Sequence, residues 1–184
     1  ETKKTNPLQF CVWAPTKEKI ALHIVAPFDQ LLPMQKDEWG NFTVTVEAGH
    51  LPLRYFYRLE DENEFPDPAS QYQPEGVHGP SETVDHSAFT WHDTGWKGLP
   101  LQEVVLYELH VGTFTPEGTF EAIISRLDAL KETGINAIEL MPVSQFPGNR
   151  NWGYDGAYPY AVQNSYGGPD GLKTLVDACH QKGM

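Results

Sequence analysis

Hydrophobic and polar residues alternate in four short segments near the start of the chain. The segments are separated by Gly, Pro and Asp residues and span 8–13, 20–25, 42–46 and 54–59. A two-residue period places apolar side chains on one face of a β-strand, so the pattern predicts a small antiparallel β-sandwich. Trp13 belongs to the first predicted strand and is expected in the core, whereas Trp39 is expected at a turn that covers the sandwich end.

The segment from about residue 66 to residue 102 has no clear period and is rich in Pro and Gly. A loop of this length is usually functional or packs against another domain. We place the domain boundary near residues 97–102. Residues 1–97 then hold the sandwich and a linker, and residues 98–184 form a second domain.

The second domain alternates strand and helix patterns. Residues 104–111 form a mostly apolar run, which predicts a parallel strand covered on both faces. A helix is expected to begin after Thr119 and to end at Gly134. Residues 137–141 predict the next strand, and the two strand–helix units predict parallel pairing.

A long loop is predicted over residues 142–168, followed by a helix that starts at Pro169 and ends at Gly183. This helix carries an apolar stripe made of Leu172, Leu175, Val176 and Cys179. A third strand is expected at or just beyond Met184.

Composition disfavours several classes of partner. The 184 residues carry a net charge of -12 at pH 7, whereas binding to nucleic acid or an anionic membrane needs clustered Lys and Arg. No stretch is long and apolar enough to span a bilayer. No metal or other cofactor is expected, because no His, Asp or Glu cluster has ligand spacing. Cys11 and Cys179 are expected as buried free thiols, which favours a cytoplasmic location.

Three motifs in the second domain resemble those of the α-amylase superfamily. Residues 107–115 (YELHVGTFT) resemble its first barrel strand, residues 137–143 (AIELMPV) its second, and residues 151–156 (NWGYDG) the loop that follows. Residues 10–15 (FCVWAP) resemble the opening strand of the immunoglobulin-like module that precedes this barrel.

The resemblance implies a multi-domain fold, in which an N-terminal immunoglobulin-like β-sandwich precedes the first part of a TIM (β/α)8 barrel. A complete barrel needs about 250 residues. We therefore expect about two βα units here, with the chain truncated before the third strand.

Two further segments narrow the resemblance to the maltooligosyltrehalose trehalohydrolases of this superfamily. They are residues 67–70 together with 73–81, and residues 158–169. Glycogen branching enzymes are the nearest alternative, but they usually carry Gln where this chain has Asp155. The resemblance implies a glycoside hydrolase that cleaves the α-1,4 bond next to a terminal trehalose, with maltooligosyltrehalose or a related maltooligosaccharide as substrate. A branching enzyme, which transfers α-1,4 chains to α-1,6 positions, and a non-catalytic glucan-binding protein remain as alternatives.

Such a retaining reaction needs two carboxyl groups about 5–5.5 Å apart. In the resembling family these groups lie on the fourth and fifth barrel strands, with a third acidic residue after the seventh. We expect them beyond Met184, so no catalytic residue is assigned and the 184 residues alone are predicted to be inactive. Glu108, Glu139 and His110 are expected to make structural hydrogen bonds inside the barrel.

Candidate substrate-binding residues lie in the loop after the second strand, because barrel active sites are built at the carboxyl ends of the strands. Tyr154 aligns with the tyrosine that stacks under the sugar at the cleavage site in this superfamily. Trp152 could stack on a sugar ring, and Asp155 could accept a bond from a sugar hydroxyl. The weaker candidates are Asn149, Arg150 and Asn151.

Overall fold

The computed structural model describes residues 7–47 and 52–184. Its first part forms two antiparallel sheets. The strands are β1 (Leu8–Trp13), β2 (Ile20–Ala26), β3 (Gln30–Pro33), β4 (Gln35–Lys36), β5 (Asn41–Val46), β6 (Arg54–Leu59), β7 (Glu64–Phe65) and β8 (Ser81–Glu82). One sheet has the order β1-β5-β4, and the other has the order β3-β2-β6-β7 with β8 also paired to β6.

Both sheets contribute to one apolar core. Phe10 of β1, Leu22 of β2 and Phe42 of β5 are buried in the same cluster, which also contains Tyr55 and Tyr57 of β6. The hydrophobic effect is the main force that holds such a core together, at about 1.5–3 kcal/mol for each large side chain fully buried. The four strands predicted from alternation are confirmed as β1, β2, β5 and β6.

Two predictions for β1 are wrong. Trp13 is 69% exposed rather than part of the core, and Cys11 is exposed rather than buried. Side chains alternate along a strand, and Phe10 occupies the inward register. Cys11 and Trp13 therefore face outward. The other thiol, Cys179, is partly buried, and this burial raises its pKa to about 11.

Residues 37–41 form a tight turn, which we call the Trp39 turn. One carboxylate oxygen of Asp37 accepts hydrogen bonds from the backbone N–H groups of Trp39 (2.8 Å) and Asn41 (2.9 Å). Gly40 has a φ of +84°, and a Cβ there would lie 2.5 Å from the Cα of Pro15. The Trp39 carbonyl accepts a bond from the Trp13 indole, while the Trp39 side chain is 73% exposed.

The segment between the two parts of the chain is ordered by buried polar groups. Asp67 is buried and accepts hydrogen bonds from the hydroxyls of Tyr55 (2.7 Å) and Tyr57 (3.3 Å). Burial and the nearby carboxylate raise the pKa of both tyrosines. The backbone N–H of Asp67 donates to the Ser81 hydroxyl. The long loop is therefore packed, as its length predicted.

The second part contains two parallel strands and four α-helices within the described residues. They are β9 (Leu106–Leu109), α1 (Val111–Phe114), α2 (Phe120–Ile124), α3 (Leu127–Glu132), β10 (Ala137–Leu140) and α4 (Gly168–Gln181). β9 and β10 are paired in parallel, with Glu108 opposite Glu139. A second core cluster contains Leu109, Phe120, Phe146 and Leu175.

The predicted strand 104–111 is too long. β9 ends at Leu109, and His110 lies at the N-cap of α1. Val105 and Leu106 are exposed, whereas the pattern predicted cover on both faces. Among the described residues β9 pairs only with β10, so one edge and part of one face lack protein neighbours.

The helix predicted over 119–134 is divided in two. Thr119 caps α2 as expected, since its hydroxyl accepts a bond from the Ala122 N–H. The Ser125 hydroxyl donates to the Ala122 carbonyl, and α3 begins only at Leu127. A serine that bonds back to a carbonyl of the preceding turn competes with the helical hydrogen-bond pattern, which accounts for the break.

The predicted loop 142–168 contains an unpredicted hairpin of β11 (Ser144–Gln145) and β12 (Tyr158–Val162). α4 follows it, with Pro169 in its first turn as expected.

Two histidine–aspartate contacts, which we call the His–Asp clasp, join residues 92–96 to α4. Each segment contributes one histidine and one aspartate. The Asp177 carboxylate accepts the backbone N–H of His92 at 2.7 Å and lies 3.0 Å from its Nδ1. Asp93 lies 2.7 Å from Nδ1 of His180, on which Trp96 stacks at 4.6 Å between ring centroids. The hydrogen bond from the His92 backbone N–H holds the pKa of Asp177 below its ordinary value.

Candidate functional site

Residues 151–155, which we call the aromatic loop, lie in the connection between β11 and β12. Trp152 is 65% exposed and Tyr154 is 70% exposed, and Asp155 is exposed beside them in the sequence. The three residues that the sequence singled out for sugar binding therefore lie at the surface of one loop. Their aromatic faces and carboxylate are accessible to a ligand.

The shape of the aromatic loop depends on Asn151 and Gly153. The side-chain oxygen of Asn151 accepts a bond from the Gly153 N–H (2.8 Å), and its amide group donates to Asp155 (3.2 Å). Gly153 is buried with a φ of +96°, and a Cβ there would lie 2.1 Å from the Pro142 carbonyl oxygen. Only glycine fits this backbone position, because an L side chain would meet both dihedral strain and a backbone atom.

Buried glutamines support the base of the hairpin. The side-chain oxygen of Gln163 accepts the Phe146 N–H, and that of Gln145 accepts the Asn164 N–H, both at 2.9 Å. Both glutamine side chains are fully buried. Their satisfied hydrogen bonds fix the two ends of the segment that carries the aromatic loop.

The hairpin also contacts the long loop of the first part. The Tyr158 hydroxyl donates to the Val77 carbonyl (2.9 Å), and the Asn164 amide donates to the Pro74 carbonyl (3.0 Å). These two hydrogen bonds join residues 73–81 to residues 158–169, the two segments that share a resemblance to one family.

The aromatic loop rests on the end of β9 through His110. The His110 Nε2 lies 2.7 Å from the Asn151 carbonyl oxygen, and its ring packs edge-to-face on Trp152 at 5.4 Å. The sequence predicted structural hydrogen bonds for His110 but not this loop contact. Its only sequence signal is a polar residue at the carboxyl end of a parallel strand.

The structural hydrogen bonds expected of Glu108 and Glu139 inside a barrel stay a prediction. Both side chains are exposed, and over residues 7–47 and 52–184 no hydrogen bond reaches either carboxylate. The two residues lie opposite each other on the parallel strands, on the side that lacks further cover.

Hydrogen bonds stabilise the ionised form of several carboxyl groups in the described ranges. These hydrogen bonds lower the pKa of Asp37 and of Asp177 below the ordinary value of an aspartate. A general acid needs the opposite shift. The arrangement at the aromatic loop can bind a sugar by ring stacking and hydroxyl bonding.

Over the same ranges, no group of three or more His, Cys, Asp or Glu side chains is placed to hold a metal ion. None of the helices in the described part of the chain has the length and apolar character needed to cross a membrane.

Comparison with known proteins identifies the family. Residues 64–184 match the family described as Alpha amylase, catalytic domain. The malto-oligosyltrehalose trehalohydrolase of Saccharolobus solfataricus is 50% identical over 175 residues, which is 95% of this chain and 31% of that protein. The 1,4-alpha-glucan branching enzyme GlgB of Pseudoalteromonas atlantica is 31% identical over 96% of this chain and 27% of its own length.

The fold agrees with this match. The crystal structure of a protein from Salmonella typhimurium described as an alpha amylase superposes with a TM-score of 0.92 at 45% identity, covering 100% of this chain and 31% of that one. The chain thus spans about a third of the length of these proteins. From the match over residues 64–184 and this shared fold, we conclude that the chain belongs to the α-amylase family.

Proposed function

We propose that the whole protein is a glycoside hydrolase that cleaves the α-1,4 bond next to the terminal trehalose of maltooligosyltrehalose and releases trehalose. One observation carries this proposal. Identity to a malto-oligosyltrehalose trehalohydrolase is 50% over nearly the whole chain, against 31% for a branching enzyme over the same extent. The difference favours hydrolysis over branching.

We further propose that residues 1–97 form an immunoglobulin-like β-sandwich with its linker, and that residues 98–184 begin a (β/α)8 barrel. Two separate apolar clusters support this division. Further barrel strands in the whole protein would pair with β10 and cover the exposed Val105 and Leu106. The barrel axis would then pass beside the carboxyl ends of β9 and β10, where the aromatic loop lies.

In this proposal the aromatic loop binds the glucan. Tyr154 stacks on the apolar C–H face of a sugar ring, Trp152 adds a second ring surface, and Asp155 accepts a bond from a sugar hydroxyl. Their exposure and the rigid support of the loop are the supporting observations. Neutral glucans also suit a chain of net charge -12, because an uncharged molecule is not repelled as it approaches.

Product analysis tests the function. The intact polypeptide is incubated with maltooligosyltrehalose, and the products are separated by chromatography. Free trehalose is the expected product. New α-1,6 branches on added amylose without trehalose would instead identify a branching enzyme, and retention on immobilised glucan without any turnover would identify a binding protein.

The 184 residues alone are proposed to have no hydrolytic activity. In the resembling family the two catalytic carboxyl groups lie on the fourth and fifth barrel strands, and a retaining glycosidase needs both. Purified chain and intact polypeptide are compared at equal molar concentration. Trehalose release by the chain alone would contradict the proposal and would require a catalytic pair within these residues.

A further inference from the structure

His110 directly follows the end of β9 and contacts the aromatic loop. Leu109 before it is buried, and His110 takes the N-cap position of α1 with φ of -100° and ψ of 118°. Its ring lies between two aromatic side chains, edge-to-face with Trp152 at 5.4 Å and with Tyr166 at 6.0 Å. The imidazole is therefore held on two sides by packing before any hydrogen bond is counted.

The hydrogen bonds of His110 select one tautomer. Nε2 faces the Asn151 carbonyl oxygen at 2.7 Å, and a carbonyl can only accept, so Nε2 must carry a proton. Nδ1 lies 3.2 Å from the Thr113 hydroxyl, which can donate to it. The Asn151 contact therefore fixes the proton on Nε2, and the Thr113 hydroxyl is compatible with that ring because a hydroxyl can donate or accept.

Close approach of Tyr166 depends on Gly112. A Cβ at Gly112 would lie 3.0 Å from a ring carbon of Tyr166 and 3.1 Å from Cε1 of His110. The Tyr166 hydroxyl lies 3.2 Å from His110 Nε2, and Tyr166 itself is buried in the second core cluster. The imidazole is thus connected directly to the core, and through Nε2 to the aromatic loop.

Asn151 transmits this anchoring to the exposed side chains. Its carbonyl is bound by His110, while its side chain binds the Gly153 N–H and the Asp155 carboxylate. One residue therefore joins the core to the backbone on both sides of Trp152 and to the side chain of Asp155. A short loop with two exposed rings would otherwise lose conformational entropy on binding a ligand, and anchoring it beforehand reduces that cost.

We propose that His110 is the positioning residue of the aromatic loop and that it acts through its Nε2–H bond to Asn151. The ligand that benefits is a neutral α-glucan, a part of the inference that rests on the proposed function. The anchoring itself is independent of any ligand and can be measured without one.

Three variants separate the donor from the ring. His110→Gln keeps an N–H donor near the position of Nε2, whereas His110→Phe keeps a ring and removes the donor. His86→Phe, at an exposed histidine of a surface turn, is the matched control. The loop is monitored by exchange of the Gly153 amide and by the Trp152 indole signal in NMR spectra of the intact polypeptide. The imidazole tautomer is read from the nitrogen shifts of the unsubstituted protein.

The expected spectrum shows His110 with its proton on Nε2. Because one net hydrogen bond contributes about 0.5–1.5 kcal/mol, His110→Phe should speed Gly153 exchange about 3- to 10-fold and raise the KM of the intact polypeptide for maltooligosyltrehalose by a similar factor. kcat should change less than KM. His110→Gln and His86→Phe should both stay within about twofold of the unsubstituted protein.

A proton on Nδ1 alone, or equal effects of the Gln and Phe variants, would overturn the proposal. So would faster exchange without any change in KM, because the anchoring would then not serve the ligand. Failure of the unsubstituted polypeptide to bind or cleave any maltooligosaccharide would refute the proposed function instead, and the exchange and tautomer data would still decide whether His110 anchors the loop.

Discussion

The Trp39 turn and the aromatic loop both display an exposed tryptophan on a sharp bend, but different contacts maintain them. In the Trp39 turn, Asp37 binds two backbone N–H groups within four residues of itself. In the aromatic loop, Asn151 supplies a similar local bond, but the carbonyl of Asn151 is bound by His110, which is 41 residues away. The Trp39 turn also has a distant contact, because the Trp13 indole donates to its carbonyl, but Trp13 belongs to the same sheet. The aromatic loop is instead bound from the end of a separate parallel strand.

This difference matters for function. The Trp39 turn needs only the sheet that contains β4, β5 and β1, so it is suited to capping that sheet. A loop held from the end of β9 can only take its shape once the parallel strands are in place. The presence of the binding surface is then tied to the presence of the barrel strands that surround it.

The largest expected effect comes from Gly153→Ala. The new Cβ would meet the Pro142 carbonyl, and the positive φ would be strained as well. We expect a loss of roughly 1–3 kcal/mol in the free energy of unfolding, measured by denaturant titration, and the loss of glucan affinity. The control is Gly148→Ala, where φ is +75° and nothing lies within 4 Å of the added atom.

The control should cost about 1 kcal/mol from the dihedral alone and leave KM unchanged. Equal effects of the two substitutions would show that contact with Pro142 does not hold the loop, and the contrast with the Trp39 turn would fail.

A smaller effect is expected when the displayed rings are removed. Tyr154→Ala should raise KM for maltooligosyltrehalose about 3- to 10-fold, the range expected from the loss of about 0.5–1.5 kcal/mol of ring stacking. Trp39→Ala removes an equally exposed ring from the other turn and should leave KM within twofold. Isothermal titration with a maltooligosaccharide gives the same comparison without turnover. If KM rose on substitution of Trp39 but not of Tyr154, the Trp39 turn rather than the aromatic loop would bind the glucan.

The smallest effect concerns pH and is confined to the Trp39 turn. Hydrogen bonds from Asn41 hold the pKa of Asp37 below its ordinary value, so folding favours the ionised form. The stabilisation is therefore complete above the unfolded pKa of about 3.9 and is lost as pH falls through the lower folded value.

NMR signals of the Trp39 amide should accordingly shift during acid titration below about pH 4. Asp37→Asn should abolish that titration while the Gly153 amide behaves as before. An unchanged titration in the variant would assign the effect to another carboxyl group.

Alternation and capping residues predicted the parts of the fold that depend on local sequence. β1, β2, β5 and β6 follow from their two-residue period, and the start of α2 follows from Thr119. Trp13 was misplaced because β1 is apolar on both faces near its end, and periodicity alone does not say which face is buried. Phe10 decides the register in the folded chain.

The candidate site was predicted only in part. Trp152, Tyr154 and Asp155 are exposed on one loop, in accord with the family resemblance that selected them, although their role in binding stays a prediction. The hairpin that carries the loop was missed, because β11 has two residues and gains its partner from a segment more than ten residues away. The contact between His110 and Asn151 was missed for the same reason, because the sequence near either residue does not indicate the other as its partner.

The His–Asp clasp has a consequence for how the chain acquires its structure. Its two pairs join residues that are 85 and 87 positions apart. Closing a chain loop of that length costs about 4 kcal/mol of conformational entropy. This entropy is lost when the first pair forms, so the second pair forms at high effective concentration. The two pairs should therefore appear and disappear together, so that the junction and α4 refold in a single kinetic step.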